Sequence, residues 1–384
     1  MRRDVRTRLA HGAAAVLPPL MLVLLGLLSV EAYLRVVRFG ADGVLHPMSY
    51  MSPAFKVGTC MKPGPDGELM TPNCRMRYKG AVLATNSLGF NDREVDESRP
   101  HFRVAMLGDS VTMAAGVDGR DTFHALLEDQ INDELGEEDF VEFYNYGRGG
   151  RSTALELADF ARSLQLWPLD AALVGVVPND LWDNVLRAET CAPGDPDFHL
   201  SEAERRYYDD SVRGRNLLAR IMINVEVRVG LWLLDQGATQ VRALSRRWLA
   251  DPIDAARLQA MERRGVRAFR ICAQQMRRLA DEAGVELAWA VLWYRPDRQA
   301  EMLHEVLLEL GEPVVSMKEI ADEFDSRESL VIYRNETHPS AAVHRHYAVR
   351  LRDFLQELSW IDRIREAHAL RVSQGRSATE EVRR

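Results

Sequence analysis

Apolar and polar positions along this chain fall into three regimes. The first is an uncharged run from Gly12 to Val30. As a helix of about 19 residues it would reach roughly 28 Å, close to the thickness of a hydrocarbon core. Arg2, Arg3, Arg6 and Arg8 precede it, which predicts a cytoplasmic N-terminus and an exported remainder. Pro18-Pro19 would kink the helix, as membrane spans tolerate. Val30-Glu31-Ala32 is a poor small-residue cleavage site, so an uncleaved single-pass anchor is expected over a cleaved signal peptide. The expected location is the inner membrane, with the main domain on its periplasmic side.

The second regime, Arg38 to about Pro100, is rich in Gly, Pro and Met and shows little periodicity. It reads as a juxtamembrane segment that packs on the main domain without forming one. The third runs from Phe102 to about Trp360, where strand-like runs alternate with amphipathic helical patterns. The predicted strands are Phe102–Leu107, Phe140–Tyr144, Ala171–Val177, Val285–Trp293 and Leu330–Tyr333. Leu157, Phe160, Ala161 and Leu164 keep one helical apolar face, and Leu258, Met261, Phe269, Cys272, Met276 and Leu279 keep another. Apolar strands alternating with such helices predict a parallel sheet covered on both faces. The division expected is 1–37 for the N-terminal stub and anchor, 38–100 for the juxtamembrane segment, 101–360 for the main domain and 361–384 for a tail. Within the main domain, 183–251 reads as a helical insertion with a stripe at Leu218, Ile221, Val225, Val229 and Trp232. That stripe fits packing on the core, a lid or a partner surface.

Composition narrows the classes. With 384 residues, 46% hydrophobic and 28% charged, the chain is a folded globular one with ample core. A net charge of -8 argues against a nucleic-acid footprint, which needs a basic face. The four cysteines lack zinc-like spacing, and no metal or cofactor is expected. Cys60 and Cys74 are free thiols or, in an exported segment, a disulfide. Cys272, on a buried helix face, reads as a core thiol.

The chemistry concentrates where strands should end, which is where ligands bind in parallel sheets. Val104-Ala105-Met106-Leu107 stops abruptly at Gly108-Asp109-Ser110, a tight turn that would hold the Ser110 hydroxyl at the sheet rim near backbone N–H groups. Asn145-Tyr146-Gly147-Arg148-Gly149-Gly150-Arg151-Ser152-Thr153 follows the second strand, Asn179-Asp180 the third, and Asn335-Glu336-Thr337-His338-Pro339 the last. Each cluster alone is ordinary turn chemistry, including a helix cap at Ser152 and an Asx turn at Asn179.

Together and in this order, the four clusters resemble the blocks of the SGNH (GDSL-type) hydrolase superfamily over about two thirds of the chain. Thr85-Asn86-Ser87-Leu88-Gly89-Phe90 is similar to the lead-in of membrane-anchored bacterial members. The resemblance implies a flavodoxin-like three-layer α/β/α fold. It also implies Ser110 as nucleophile, His338 as general base, and an oxyanion hole made by the N–H groups of Ser110 and Gly150 and the Asn179 side chain. Each such donor is typically worth ~3 kcal/mol in the transition state. Arg148 and Arg151 are candidate contacts for an anionic substrate, and Asp109 is expected to brace its turn.

The chain departs from the family pattern at Asn335, where an Asp should orient the histidine. In serine proteases the comparable Asp-to-Asn change lowers kcat by about 10⁴. Three readings follow: a Ser-His dyad with Asn335 only orienting the ring, a substitute carboxylate at Glu336 or Asp183, or lost chemistry with a retained pocket. The expectation is a membrane-anchored serine esterase, O-acyl hydrolase or acyltransferase acting on an ester of a small molecule, envelope glycan or lipid. The competing expectation is an impaired, SGNH-like binding or assembly component of an envelope complex.

Overall fold

The computed structural model describes residues 2–50, 60–64, 67–95, 102–137, 140–195, 198, 202, 205, 255–334 and 336–382. A long helix α1 (Arg2–Phe39) opens the chain, followed by two antiparallel hairpins, β1 (Met61–Gly64) with β2 (Gly67–Met70) and β3 (Arg75–Tyr78) with β4 (Ala81–Ala84). The main domain then runs β5 (Phe102–Gly108), α2 (Phe123–Leu135), β6 (Val141–Asn145), α3 (Thr153–Leu166), β7 (Ala171–Val176) and α4 (Pro178–Cys191). It continues with α5 (Ala255–Ala283), β8 (Glu286–Val291), α6 (Arg298–Glu309), β9 (Val314–Ser316), α7 (Ala341–Glu357) and α8 (Trp360–Val382).

The five strands β5 to β9 form one parallel sheet in the order β6-β5-β7-β8-β9. Counted from β5, this is the flavodoxin-like order 2-1-3-4-5. Every residue of β5, β6 and β7 is buried, as a sheet covered on both faces requires. The two faces follow from strand periodicity. Phe102, Val104 and Met106 point into a core with Phe123 and Leu127 of α2, Tyr347 and Leu351 of α7, and Trp360 and Ile364 of α8. Ala105 and Leu107 point the other way, against Phe160 of α3, Phe269 and Met276 of α5, and Leu303 and Leu307 of α6. The fold is therefore the three-layer α/β/α arrangement expected.

Several local expectations differ. Leu330–Tyr333 is not a sheet strand; Val331 makes an isolated bridge to Pro339, and the fifth strand is the short Val314–Ser316. Three residues are too few to show alternation, which is why β9 escaped the pattern. Cys272 is not a free core thiol but is bonded to Cys191, with Cα atoms 5.1 Å apart, tying α5 to the end of α4. Cys60 and Cys74 are likewise bonded, with Cα atoms 5.4 Å apart. Ser152 occupies the N-cap position of α3 without a side-chain cap bond; Asn184 of α4 caps instead, its Oδ1 accepting from Ala154 N at 3.0 Å. The 38–100 stretch contains both hairpins despite its weak periodicity. The stripe from Leu218 to Trp232 lies outside the described residues.

Among the described residues one helix segment, Leu17–Phe39, is long and apolar enough to cross a membrane. Leu20, Leu22, Val23 and Leu25 on it are exposed.

Candidate active site

The sheet order puts β6 on one side of β5 and β7 on the other, so the chain changes winding direction beside β5. The carboxyl end at that reversal is the usual ligand crevice of such sheets. Ser110 stands there, directly after β5. Gly108 ends the strand because nothing larger fits: a Cβ would sit 2.0 Å from Thr112 Oγ1 and 2.9 Å from Gly175 O. Asp109 is buried, and its Oδ1 accepts from Val111 N at 2.7 Å. Met113 N donates to Asp109 O and Ala115 N to Ser110 O, closing a helical turn under the serine. Burial pushes the Asp109 carboxyl up, opposed by the Val111 N–H. These bonds give Asp109 the bracing position expected of it.

The loop after β6 supports this turn from the side. Gly147 lies so close that a Cβ there would be 2.3 Å from Met113 N. Gly147 N donates to Asn145 Oδ1, and Asn145 N donates to Asp92 Oδ2. Asn91 Nδ2 donates to Met113 O at 2.9 Å. The lead-in segment is itself folded by Asn86, whose Oδ1 accepts from Leu88 N and Phe90 N. Asn86 to Asp92 therefore acts as a scaffold behind the serine turn.

His338 arrives from the loop before α7. Ile332 N donates to His338 O, Tyr294 OH donates to Thr337 O, and Ser340 caps α7 by accepting from Val343 N. The ring meets the serine directly, with Nε2 2.9 Å from Ser110 Oγ. On its far side Nδ1 is 3.0 Å from Glu336 Oε1 and 2.9 Å from Lys79 Nζ. Glu336 also accepts from Thr337 N at 2.8 Å, from Tyr333 OH at 2.7 Å and from Lys79 Nζ at 3.3 Å. Burial opposes the charge of Glu336, but the His338 hydrogen bond and the Lys79 ammonium outweigh it and hold the carboxyl well below the usual range. Burial and the adjacent carboxylate push the Tyr333 phenol up, so it stays a donor. The side chains of Lys79, Glu336 and His338 are each 16% exposed, sheltered but reachable.

Lys79 reaches the site from the β3–β4 hairpin, and Tyr333 connects it to the end of α1. Phe39 stacks on Tyr50 at 4.2 Å and meets Tyr333 edge-on at 4.9 Å. Lys79 was not singled out by the sequence because nothing in Tyr78-Lys79-Gly80-Ala81 marks chemistry. Glu336 was legible only as a nearby carboxylate.

The other expected residues are placed as follows. Gly150 and Asn179 follow β6 and β7, the two neighbours of β5, so they flank Ser110 on one rim. Asn179 is exposed, and its Nδ2 donates to Asp183 Oδ2 at 3.4 Å. Asp180 is fully buried, with Oδ2 accepting from Val177 N at 2.7 Å. Arg148 and Arg151 are buried rather than solvated. Arg151 Nε is 2.9 Å from Asp159 Oδ2, Arg148 is 3.9 Å from Asp159 Oδ1 and lies 4.8 Å over the Phe90 ring. Both guanidiniums thus face the same Asp159 carboxylate inside the protein. Asn335 lies outside the described residues, and so does any contact it makes. Among the described residues no cluster of His, Cys, Asp or Glu is arranged to hold a metal ion.

No protein-family model matches the chain, and no curated protein does. Solved structures with a similar course include TesA, at 14% identity and a TM-score of 0.38, covering 67% of this chain and 99% of that one. A lipase/acylhydrolase from Enterococcus faecalis matches at 12% identity and a TM-score of 0.37, covering 67% and 96%. A variant of Axe2, an acetyl xylan esterase from Geobacillus stearothermophilus, matches at 12% identity and a TM-score of 0.37, covering 67% and 94%.

Proposed function

We propose that this protein is an exported, membrane-anchored serine esterase of the SGNH type, acting through an acyl-enzyme on Ser110. The observation that carries this reading is the relay from Ser110 Oγ to His338 Nε2 at 2.9 Å and from His338 Nδ1 to Glu336 Oε1 at 3.0 Å. A hydroxyl, an imidazole and a carboxylate in that order are the parts of an activated nucleophile. Glu336 supplies the charge that Asn335 cannot, which favours an active enzyme over a binding-only component.

In the reaction, Ser110 Oγ attacks the ester carbonyl carbon and passes its proton to His338 Nε2. The imidazolium is stabilised by Glu336, and the carbonyl oxygen takes the negative charge toward Ser110 N, Gly150 N and the Asn179 amide. Collapse breaks the C–O bond, and the leaving alkoxide takes the proton from Nε2. Water, or a sugar hydroxyl in a transferase, then repeats the sequence on the acyl-enzyme.

The anchor is read from the apolar Leu17–Phe39 segment, and export fits a chain whose four cysteines are all in disulfides. A periplasmic ester on an envelope glycan or lipid is the substrate class that this location favours. The test uses the full chain in detergent with short-chain aryl esters and a serine-directed phosphonate. Turnover and covalent labelling are expected, and Ser110→Ala should abolish both. A folded wild-type protein that neither turns over nor takes the label would overturn the esterase reading in favour of binding.

A further inference from the structure

The ring nitrogen His338 Nδ1 has two close neighbours of opposite character, a carboxylate oxygen at 3.0 Å and a lysine nitrogen at 2.9 Å. A carboxylate can only accept a hydrogen bond, and an ammonium can only donate one. A single Nδ1 therefore cannot satisfy both at once. If it carries a proton it donates to Glu336, and if it bears a lone pair it accepts from Lys79. The Glu336 carboxylate 3.3 Å away pairs with the ammonium form of Lys79.

The consequence reaches Ser110, because a neutral imidazole carries one proton. When Lys79 donates to Nδ1, that proton must be on Nε2, where it points at Ser110 Oγ and leaves no lone pair to receive the hydroxyl proton. When Lys79 leaves Nδ1 and donates to Glu336 Oε2 alone, Nδ1–H can donate to Oε1 and Nε2 becomes the base.

The backbone under Lys79 is a second and independent observation. Tyr78 and Ala81 pair across a two-residue turn in which Lys79 has φ +52° and Gly80 φ +93°. Hairpin turns of this kind favour Asn, Asp or Gly at the first position, and a lysine there is uncommon. The turn is held in place, with Lys79 N donating to Ser49 O at 2.8 Å and Gly80 N to Ser49 Oγ at 3.0 Å. Val82 N donates to Asp118 Oδ1, fastening the hairpin to the loop beyond the serine turn. An unfavourable backbone conformation maintained by its surroundings, with a side chain delivered onto the catalytic ring, points to function.

We propose that Lys79 is a positioning residue that sets the tautomer of His338, holding the resting ring with its proton on Nε2 until the ammonium leaves Nδ1 and bonds Glu336 alone. This deepens the esterase reading and rests on it. The hairpin from the segment next to the anchor thereby restrains the nucleophile, and release requires only rotation of the lysine side chain, with no break in the fold.

The test labels histidine with 15N in the full chain in detergent. The His338 signals are identified by their loss in His338→Gln and recorded on the alkaline side of the ring's titration. The wild type should show a bare Nδ1 and a protonated Nε2. Lys79→Met should move the proton to Nδ1, while Lys79→Arg, which still donates, should keep the wild-type pattern. In aryl ester turnover, Lys79→Met should raise kcat about tenfold at unchanged KM, the order expected for one charge-assisted hydrogen bond. A protonated Nδ1 in the wild type, or a Lys79→Met spectrum identical to the wild type, overturns the proposal. Absence of turnover and of phosphonate labelling in the wild type would overturn the esterase reading instead, and the 15N signals would still decide the role of Lys79.

Discussion

Glu336 accepts hydrogen bonds from Thr337 N, Tyr333 OH and Lys79 Nζ, and its Oε1 lies 3.0 Å from His338 Nδ1, so its charge is well held. Replacing it by Gln keeps the shape but removes the charge that stabilises an imidazolium. Glu336→Gln should lower kcat by about 10²- to 10⁴-fold with little change in KM, by analogy with the carboxylate-to-amide change in serine proteases. Steady-state kinetics check this, with circular dichroism confirming the fold. Asn335→Asp should change kcat by less than about threefold, because the charged position at Nδ1 is already filled and a second carboxylate adds little. A large rise on that substitution would mean that Glu336 does not serve the ring. At this scale the sequence was informative about Ser110 and His338, whose neighbours carry turn signals. It was silent on Lys79, which lies more than 250 positions from the histidine it touches.

The elements around the serine are joined by close backbone contacts. The loop after β6 can lie on the Ser110 turn only while Gly147 has no side chain, since a Cβ would be 2.3 Å from Met113 N. Gly147→Ala must push these two loops apart. It should cost about 2 kcal/mol of stability, as overpacking does, and lower turnover more than tenfold. Thermal unfolding and aryl ester kinetics measure the two effects separately. The strands β5 to β8 were legible because fully buried parallel strands read as continuous apolar runs. β9 was not, and neither were β1 to β4. Four-residue strands in small hairpins are specified by turns and by the Cys60–Cys74 link more than by periodicity. The His338 loop was misread as a strand because Leu330-Val331-Ile332-Tyr333 has strand composition. Its residues instead fold back, with Ile332 N donating to His338 O.

Across the whole molecule, the disulfide Cys191–Cys272 spans 81 positions and fixes the end of α4 to α5, so it encloses much of the predicted insertion. Closing a loop of that length is worth about 4.5 kcal/mol in the chain-entropy model. Cys191→Ser with Cys272→Ser should therefore lower the denaturant midpoint, and a reductant should destabilise the wild type more than the double variant, which has only Cys60–Cys74 left to reduce. The sequence by itself determined the strands β5 to β8, the helices that cover them, the apolar N-terminal helix and the strand end at which Ser110 falls. All of these follow from local periodicity and from residues at strand ends. Only the tertiary structure decided which groups face His338 Nδ1, because that contact joins a hairpin that follows the N-terminal helix to a loop more than 250 positions later. Hydrophobic patterning specifies which face of an element is buried. It carries no record of which distant polar side chains meet once those faces have packed.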